Sequence, residues 1–331
     1  MINVAQIGIG YWGPNLLRNL VVNKNCTVKT VVDLSQERRD YVKKLYPFVA
    51  VTENAEDVFK DDSIDAVVIS TPVHTHFDLV MKALGSGKHV LVEKPMATSV
   101  SEVEQIESLA NKKNLIAMVG HTFLYNTAVR YIKKLIENGE LGDIRYIYSR
   151  RLNLGRIRND VDALWNFAPH DISIIQYWLG DPKPVSITKR GMAYVQENID
   201  DVVFLNIQYP KKIMAEIHVS WLDPQKIRCT TIIGSKKMVV YDDVADDKVA
   251  IYNKGIDKMA ILGKDMDYDK PAGFKYNQWS GDIVYPHIDF KEPLEVEIAH
   301  FIDCISHGTK CLTGPEHAKE VVRILSQQIF E

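Results

Sequence analysis

The sequence predicts an α/β protein of two domains, an N-terminal doubly wound parallel sheet and a C-terminal α+β domain built on a mostly antiparallel sheet. The first observation is length, because 331 residues exceed the size at which one hydrophobic core usually stops growing. The second is the alternation of apolar runs with helix-length segments in the first third of the chain, typical of βαβ units. The third is the succession of strand-like runs after about residue 122, typical of antiparallel pairing. We therefore divide the chain into residues 1–122 and 123–331.

Each element is indicated by its own pattern. In the first domain the runs "NVAQIGIG", "TVKTVVD", "AVVIST", "HVLVEKP" and "LIAMVG" predict strands. Between them, helices are predicted near residues 14–23, 36–45, 75–86 and 99–112. In the second domain a helix near 126–138 and the segment around His170 precede strand-like runs from "PVSITKRGMAYV" to "KMVVYD". Residues 255–293, rich in Tyr, Asp, Gly and Pro, predict a long surface loop.

The amino-acid composition limits the classes of binding partner that we expect. The chain is 46% hydrophobic and 25% charged, with a formal charge of -3 and no long Lys/Arg run. We therefore expect a small soluble partner rather than nucleic acid or a membrane surface. The N-terminal run "INVAQIGIG" lacks a basic leader, and the four cysteines are scattered, so we expect a cytoplasmic protein.

A glycine motif predicts a dinucleotide site. Gly8, Gly10 and Gly13 form a GxGxxG between the first strand and the first helix, where close backbone approach and a helix N-terminus favour a pyrophosphate. Asp33 ends the second strand, twenty positions after Gly13, where a carboxylate can bond the ribose hydroxyls. We predict a Rossmann domain that binds NAD. Arg38 and Arg39 leave NADP open as the less favoured cofactor.

Two further segments hold candidate catalytic residues. "EKP" places Lys94 at the carboxyl edge of the predicted sheet, where ligands of doubly wound folds bind, although a solvated strand end would look the same. "APHDISIIQYWLG" places His170 among apolar residues at helical spacing, which also fits a buried core histidine. Because Pro169 removes a backbone donor, we expect it to interrupt the helix and to leave His170 near a helix start.

These motifs together resemble the Gfo/Idh/MocA family of oxidoreductases, named for glucose-fructose oxidoreductase and inositol dehydrogenase. The resemblance rests on "GIGYWG" at 8–13, "STPVHTH" at 70–76, "EKP" at 93–95 and His170. It implies that residues 1–122 bind NAD and that residues 123–331 bind substrate and mediate oligomerisation. It also implies that Lys94 contacts both cofactor and substrate and that His170 is an acid/base, with the identity of the base left open between them.

The resemblance extends to a set of site residues. Many members carry Asp four residues before the histidine, whereas this chain has Asn166, so the orientation of His170 is open. Asp171 is interpreted as a helix cap or a supporting group. The expected cofactor-binding residues are Gly8, Gly10, Tyr11, Trp12, Gly13, Asp33, Arg38, Thr71, Pro72, His76, Glu93 and Lys94. The expected substrate-binding residues are Lys94, Tyr125, Asn126, Asn153, Arg156, Asn166, His170 and Asp171.

The substrate class is suggested by a basic stretch. "SRRLNLGRIRND" is either a solvated loop or a site for a diphosphate or carboxylate. "GYWG", "LYNTAVR" and "LNLGRIRNDVDALWNFAPHD" most resemble the branch that oxidises the 3-hydroxyl of UDP-N-acetylhexosamines, upstream of diamino-sugar and surface-polysaccharide synthesis. The alternatives are a dehydrogenase of a free polyol or sugar, and a dinucleotide-dependent sensor without turnover.

Two expectations concern metal and assembly. "HFIDCISHGTKC" places His300, Cys304 and His307 on one helical face with Cys311 beyond, but apolar residues between them explain the pattern as a helix, and we predict no metal. The resemblance implies that another subunit covers one face of the second sheet. Alternating apolar residues in "VVFLNIQY" and "IMAEIHVSW" agree, so we predict a homodimer or homotetramer.

Overall fold

The computed structural model describes residues 1–155, 157–159, 161–260 and 274–327. They form two compact units. The first comprises Met1–Asn126 and the described residues from Phe290 onward, and the second comprises Thr127–Asp289. The C-terminal helices therefore fold with the N-terminal unit, whereas the sequence division at residue 122 assigns them to the second domain.

The elements have the following bounds. The strands are β1 (Ile2–Ile7), β2 (Cys26–Val32), β3 (Ala50–Thr52), β4 (Ala66–Ile69), β5 (His89–Glu93), β6 (Ala117–Gly120), β7 (Ile144–Leu154), β8 (Ser186–Met192), β9 (Val202–Tyr209), β10 (Ile213–Ser220), β11 (Leu222–Gly234), β12 (Met238–Asp242), β13 (Val249–Ala260) and β14 (Phe274–Val284). The helices are α1 (Gly13–Val22), α2 (Gln36–Leu45), α3 (Glu56–Phe59), α4 (His76–Gly85), α5 (Val100–Lys113), α6 (Thr127–Glu137), α7 (Ala163–Leu179), α8 (Pro293–His307) and α9 (Pro315–Leu325).

The first unit contains a six-stranded sheet in the order β3-β2-β1-β4-β5-β6, with every neighbouring pair parallel. The predicted doubly wound sheet is confirmed. All residues of β4 and β6 are buried, as expected for strands covered on both faces. The direction of strand order reverses between β1 and β4, and ligands of such sheets bind beyond the carboxyl ends of the strands at that point.

The two C-terminal helices complete this unit. Helix α8 packs against α1 and against the short 3₁₀ segment Thr122–Tyr125, while α9 packs against α5 and β6. Helix α9 buries Val321, Val322 and Leu325. The apolar surface that residues 1–126 present is therefore covered partly by residues that follow more than 160 positions later in the chain.

The second unit contains an eight-stranded sheet in the order β14-β13-β12-β11-β7-β10-β9-β8. Strand β10 pairs with β7 in parallel, and the other neighbouring pairs are antiparallel, which confirms a mostly antiparallel sheet. Helix α7 packs on β7, β9 and β10. In β9 the residues alternate between buried and exposed, so one face forms a core with α7 while Phe204 on the other face stays 41% exposed.

Helix α7 differs from the expectation at Pro169. The helix runs through Pro169, with Asp162 at its N-cap accepting from the Trp165 backbone N–H at 2.9 Å, so His170 lies mid-helix rather than near its start. Proline there costs one hydrogen bond of the helical ladder. Burial of one helix face, including Ile172 and Trp178, offsets that cost.

The predicted surface loop at 255–293 is also corrected. Strands β13 and β14 pair as an antiparallel hairpin at the edge of the second sheet, and the intervening residues 261–273 lie outside the described residues. A composition rich in turn-forming residues was misleading because β13 and β14 supply backbone partners to each other from Gly255 onward. Within the described ranges, no helix has both the length and the apolarity needed to cross a membrane.

Candidate active site

The glycine loop after β1 has the shape that its sequence predicts. Gly8 has a positive φ of 93°, and a Cβ built on it would lie 2.7 Å from the Ser70 carbonyl oxygen. A Cβ on Gly13 would lie 2.8 Å from the Gly8 carbonyl oxygen. A Cβ on Gly10 would have no described atom within 4 Å. Gly8 and Gly13 must therefore be glycine because a Cβ would clash with neighbouring backbone. The backbone at Gly10 has free space beside it, which a bound pyrophosphate requires.

A residue that the sequence analysis missed holds this loop. Gln6 is completely buried, and its Nε2 donates to the carbonyl oxygens of Gly8 and Gly13, both at 2.9 Å. The side chain therefore closes the turn from inside the unit. An amide within the apolar run "INVAQI" was the available signal, because a buried polar group needs a partner.

Asp33 lies at the end of β2, beside the glycine loop. Its Oδ2 accepts from the Ile9 backbone N–H at 2.8 Å and its Oδ1 accepts from the Ser35 N–H at 2.9 Å. Arg39 is buried and donates to the carbonyl oxygens of Asp33 and Leu34 at 2.7 and 3.0 Å. It is therefore engaged inside the unit, and Arg38, which is exposed, is the remaining basic neighbour.

The loop after β4 is tied to the loop after β5 by a buried histidine. The Nδ1 of His76 lies 2.8 Å from the Pro95 carbonyl oxygen, and its Nε2 lies 2.9 Å from that of Thr71. Pro72 is extended and leads into the 3₁₀ segment Val73–Thr75. Burial lowers the pKa of His76, while the two carbonyl contacts oppose that effect. A neutral ring donates through one nitrogen only, so one contact at a time is a hydrogen bond.

Glu93, the last residue of β5, directly precedes the lysine of the "EKP" motif. Burial raises the pKa of its carboxyl to about 7, opposed by Lys94 and by a hydrogen bond from the Trp12 side chain. Close packing against Gly120 helps to exclude water, since a Cβ there would lie 3.3 Å from the carboxylate. Trp12 thereby connects the glycine loop with the residue next to Lys94.

Further buried titratable groups surround this point within the first unit. Burial lowers the pKa of His121 well below its usual value, and the neighbouring His317 and Lys94 lower it further. Burial, together with Glu93, raises the pKa of Glu297 well above its usual value. Thr122 Oγ1 donates to Glu297 Oε2 at 2.7 Å. These residues were not among the predicted site residues, although Glu297 stands in the otherwise apolar face of α8.

Tyr125 and Asn126, expected to contact substrate, are both buried in the first unit. The Tyr125 hydroxyl lies 3.1 Å from Thr313 Oγ1, and the ring is completely inaccessible to solvent. Burial raises the pKa of Tyr125 well above its usual value. These contacts are those of a core residue, and the Tyr125 hydroxyl is enclosed within the first unit rather than accessible to a substrate.

In the second unit, His170 and Asn166 occupy one face of α7, four residues apart, and both are partly exposed. Asn153, near the end of β7, is also partly exposed. Arg156 lies outside the described residues. Of the described residues expected to contact substrate in this unit, Asn153, Asn166 and His170 are therefore the ones that remain partly exposed.

Asp171 has a structural role. Its Oδ2 accepts from Arg151 Nε at 2.6 Å and its Oδ1 accepts from Ser149 Oγ at 2.6 Å, with the carboxylate 2% exposed. The pair joins α7 to β7. Asp171 therefore does not cap α7, a role that Asp162 has, and its oxygens are not accessible to a substrate. Arg151 is bound to Asp171 and is not available to bind a ligand.

The parallel sheet and the loops at its carboxyl edge define a dinucleotide-binding oxidoreductase. A family model described as "Oxidoreductase family, NAD-binding Rossmann fold" matches residues 2–121, and the model of the GFO/IDH/MocA C-terminal domain matches residues 129–240. The chain belongs to the Gfo/Idh/MocA family, and its first unit is an NAD-binding Rossmann domain.

Known relatives are distant. The 2,7-anhydro-N-acetylneuraminate hydratase of Escherichia coli (strain K12) is 23% identical over 313 residues, 89% of this chain and 82% of that protein. The scyllo-inositol 2-dehydrogenase (NAD(+)) of Bacillus subtilis (strain 168) is 23% identical over 320 residues, 93% of this chain and 87% of that protein. An uncharacterized oxidoreductase of Streptococcus pneumoniae is 25% identical over 228 residues, which span 65% of this chain and 61% of that protein.

Solved structures share the fold. The UDP-N-acetylglucosamine 3-dehydrogenase GnnA from Acidithiobacillus ferrooxidans aligns with a TM-score of 0.80 over 98% of this chain and 96% of that chain, at 20% identity. At this identity the likeness establishes the fold and leaves the substrate to be argued from residues.

Proposed function

We propose that the protein oxidises a sugar hydroxyl with NAD as the hydride acceptor, and that the hydroxyl is the 3-hydroxyl of a UDP-N-acetylglucosamine-type nucleotide sugar. The observation that carries the oxidoreductase proposal is the position of Lys94. It directly follows β5, next to the half-buried Glu93, at the sheet edge where the loops bearing Gly10 and Thr71 also lie. A 3-keto sugar is a substrate for transamination, which suits diamino-sugar and surface-polysaccharide synthesis.

The residues of the first unit fit NAD. The open backbone at Gly10 admits a pyrophosphate at the N-terminus of α1, and Asp33 accepts hydrogen bonds from ribose hydroxyls. NAD, when bound, supplies the hydride acceptor. The other proposed cofactor contacts are Gly8, Tyr11, Trp12, Gly13, Arg38, Thr71, Pro72, His76, Glu93 and Lys94.

The chain's own residues handle the proton. Loss of hydride from carbon requires loss of a proton from the hydroxyl oxygen, and an imidazole has an ordinary pKa suited to accept it. We assign that role to His170. The Lys94 ammonium is proposed to stabilise negative charge that develops during the reaction. Asn166, one helical turn before His170, and Asn153 are proposed to bind the sugar.

Nucleotide-sugar recognition is proposed to rest on Arg156. Arg151 is bound to Asp171, so Arg156 becomes the leading candidate of the basic stretch to bind a diphosphate. Arg156→Ala should raise KM for a UDP-sugar by roughly 10-fold or more with little change in kcat, the pattern of lost uniform binding. Arg145→Ala, at an exposed arginine whose Nη2 donates to the Ile256 carbonyl oxygen, is the matched control. An unchanged KM in Arg156→Ala would favour a free polyol or sugar.

The deciding experiment is a substrate panel. NADH formation is measured with UDP-N-acetylglucosamine, its uronic acid, free N-acetylglucosamine, scyllo-inositol and 2,7-anhydro-N-acetylneuraminate. We expect turnover with a UDP-sugar and little with the free compounds. Turnover restricted to an inositol would establish the polyol alternative, for which the B. subtilis relative is the reason to test. Tight NAD binding without NADH formation from any compound would instead favour a sensor.

Assembly and location complete the proposal. Phe204, Met214 and Tyr146 are each at least 40% exposed on the uncovered face of the second sheet, which supports a homodimer or homotetramer formed there. Cys26, Cys229, Cys304 and Cys311 are all free thiols, which supports a reducing compartment such as the cytoplasm.

A further inference from the structure

A cluster of soft ligands lies in the first unit. Helix α8 places His300 and Cys304 one turn apart, and the chain turns at Gly308, which has φ 67°, so that Cys311 returns to the same point. One ligand atom from each of His300, Cys304 and Cys311 lies within 4.8 Å of the other two. None of the three belongs to the proposed NAD or sugar contacts.

The spacing suits a tetrahedral ion. Zinc bonds of about 2.3 Å to sulfur and about 2.0 Å to nitrogen give a sulfur–nitrogen edge of roughly 3.5 Å. The observed separation of Cys304 Sγ and His300 Nε2 is 3.4 Å. We propose that His300, Cys304 and Cys311 bind one soft divalent cation of the Zn²⁺ class, with the fourth position taken by water. Sequence spacing alone had favoured no metal.

Coordination would use both thiols as thiolates. The sulfur atoms of Cys304 and Cys311 lie within 4.8 Å of each other, so one cation can contact both. Binding of a cation would release the thiol protons.

Two neighbouring hydrogen bonds show what a cation must displace and which histidine is not a ligand. The Leu312 backbone N–H donates to His300 Nε2 at 3.0 Å, and a cation must replace this bond. The loss of one neutral hydrogen bond costs far less free energy than thiolate coordination of a metal contributes. The donor, Leu312, lies in the segment between α8 and α9 rather than inside a helix. His307, the other histidine of the sequence pattern, has its Nδ1 2.8 Å from Asp303 Oδ1 and lies outside the cluster.

The test is metal binding by the full-length protein under reducing conditions. Zn²⁺ affinity is measured by competition with a chromophoric chelator, and Co²⁺ is added separately to observe thiolate-to-metal absorption and tetrahedral visible bands. We expect one ion per chain. Cys311→Ser should weaken binding at least roughly 10-fold, because even the loss of an outer partner of a ligand costs that much. His307→Gln is the matched control and should bind like the wild type.

Thermal unfolding supplies a second readout. Zn²⁺ should raise the Tm of the wild type and of His307→Gln, and raise that of Cys311→Ser by less at the same Zn²⁺ concentration, since a ligand stabilises the folded state in proportion to its binding free energy. Cys311 is partly exposed, so its serine variant should fold; circular dichroism verifies this. Stoichiometric binding without thiolate absorption, equal affinity in Cys311→Ser, or no uptake by the reduced wild type would each overturn the proposal.

Discussion

The two sheets of this protein differ in what covers them. The parallel sheet of the first unit is buried on both faces, and every loop proposed to bind NAD leaves the carboxyl end of one of its strands. The antiparallel sheet is covered by α7 on one face, while Phe204 remains exposed on the other. Cofactor recognition thus uses backbone shape in a fixed scaffold. The proposed substrate recognition and assembly instead rest on side chains of a helix and of an open sheet face.

This difference explains why the first unit is easier to interpret. A pyrophosphate requires glycines at set spacing, since Gly8 and Gly13 have no space for a Cβ. No comparable backbone rule governs the proposed sugar site, whose proposed residues on α7, Asn166 and His170, are recognised only as side chains. We therefore distinguish a backbone-defined half, the first unit with its glycine loop, from a side-chain-defined half, the second unit with its proposed sugar contacts.

The largest expected effect is in the second unit, at His170. His170→Ala should lower kcat by about 10²-fold or more, the usual contribution of a positioned acid/base, while NAD affinity is retained. Single-turnover kinetics and calorimetry measure the two effects. His287→Ala, at a side chain 92% exposed in the same unit, is the control.

The same series decides whether Lys94 acts with His170. If they serve one proton transfer, the double variant with Lys94→Ala should lose little beyond the worse single variant. Wild-type turnover by folded His170→Ala would return this histidine to a structural role and leave Lys94 as the base.

The second prediction concerns stability of the backbone-defined half. The pKa of Glu93 is 4.5 in the unfolded chain and about 7 in the folded chain. At pH values between these two, the folded protein keeps a proton on Glu93 that the unfolded chain has lost. The stabilisation from this protonation is complete below 4.5 and is lost as pH rises through about 7. Glu93→Gln should remove this contribution, worth about 3 kcal/mol at most.

Urea unfolding of the NAD-free protein at pH about 5 and about 8 measures this contribution of Glu93 to the free energy of unfolding. The wild type should lose more stability over this interval than Glu93→Gln does. Glu104→Gln, on the exposed side of α5, should follow the wild type. Parallel pH profiles for wild type and Glu93→Gln would show that Lys94 already keeps the carboxyl ionised.

The third prediction tests the open sheet face. Phe204 stacks on His218 with ring centroids 4.1 Å apart, which presents a flat aromatic surface. Phe204→Glu should weaken association by about 2 kcal/mol or more, roughly 30-fold, because a charge replaces an interface aromatic. Light scattering across a dilution series measures this. Phe48→Glu, at another exposed aromatic, is the control, and a monomeric wild type would refute the proposed assembly.

The smallest expected effect is cofactor choice. Asp33→Ser should shift the ratio of NAD to NADP affinity by about 10-fold toward NADP, since a negative charge is removed beside the 2′-phosphate. Serine retains one acceptor for the N–H groups of Ile9 and Ser35. Asp40→Ser on α2 is the control. Equal wild-type affinities for the two cofactors would indicate that Arg38 already compensates for the carboxylate.

The sequence predicted those parts in which local pattern and final structure coincide. Helices α1, α2, α4 and α5 begin and end close to their predicted bounds, and the glycine loop has the expected shape. Contacts distant in sequence were not predictable. Gln6, Glu297 and the Arg151–Asp171 pair act through partners that no local pattern identifies. Helix α7 continues through Pro169 because burial outweighs a local preference.

The return of α8 and α9 to the first unit has a consequence for how the chain folds during its synthesis. Residues 1–126 leave the ribosome first, but the surfaces of α1, α5 and β6 that these helices cover stay exposed until α9 has emerged. At roughly 5–20 residues per second, that interval is about 10–40 s. The unit synthesised first is thus completed last, and a fragment ending at residue 126 should bind a hydrophobic dye that the full chain excludes.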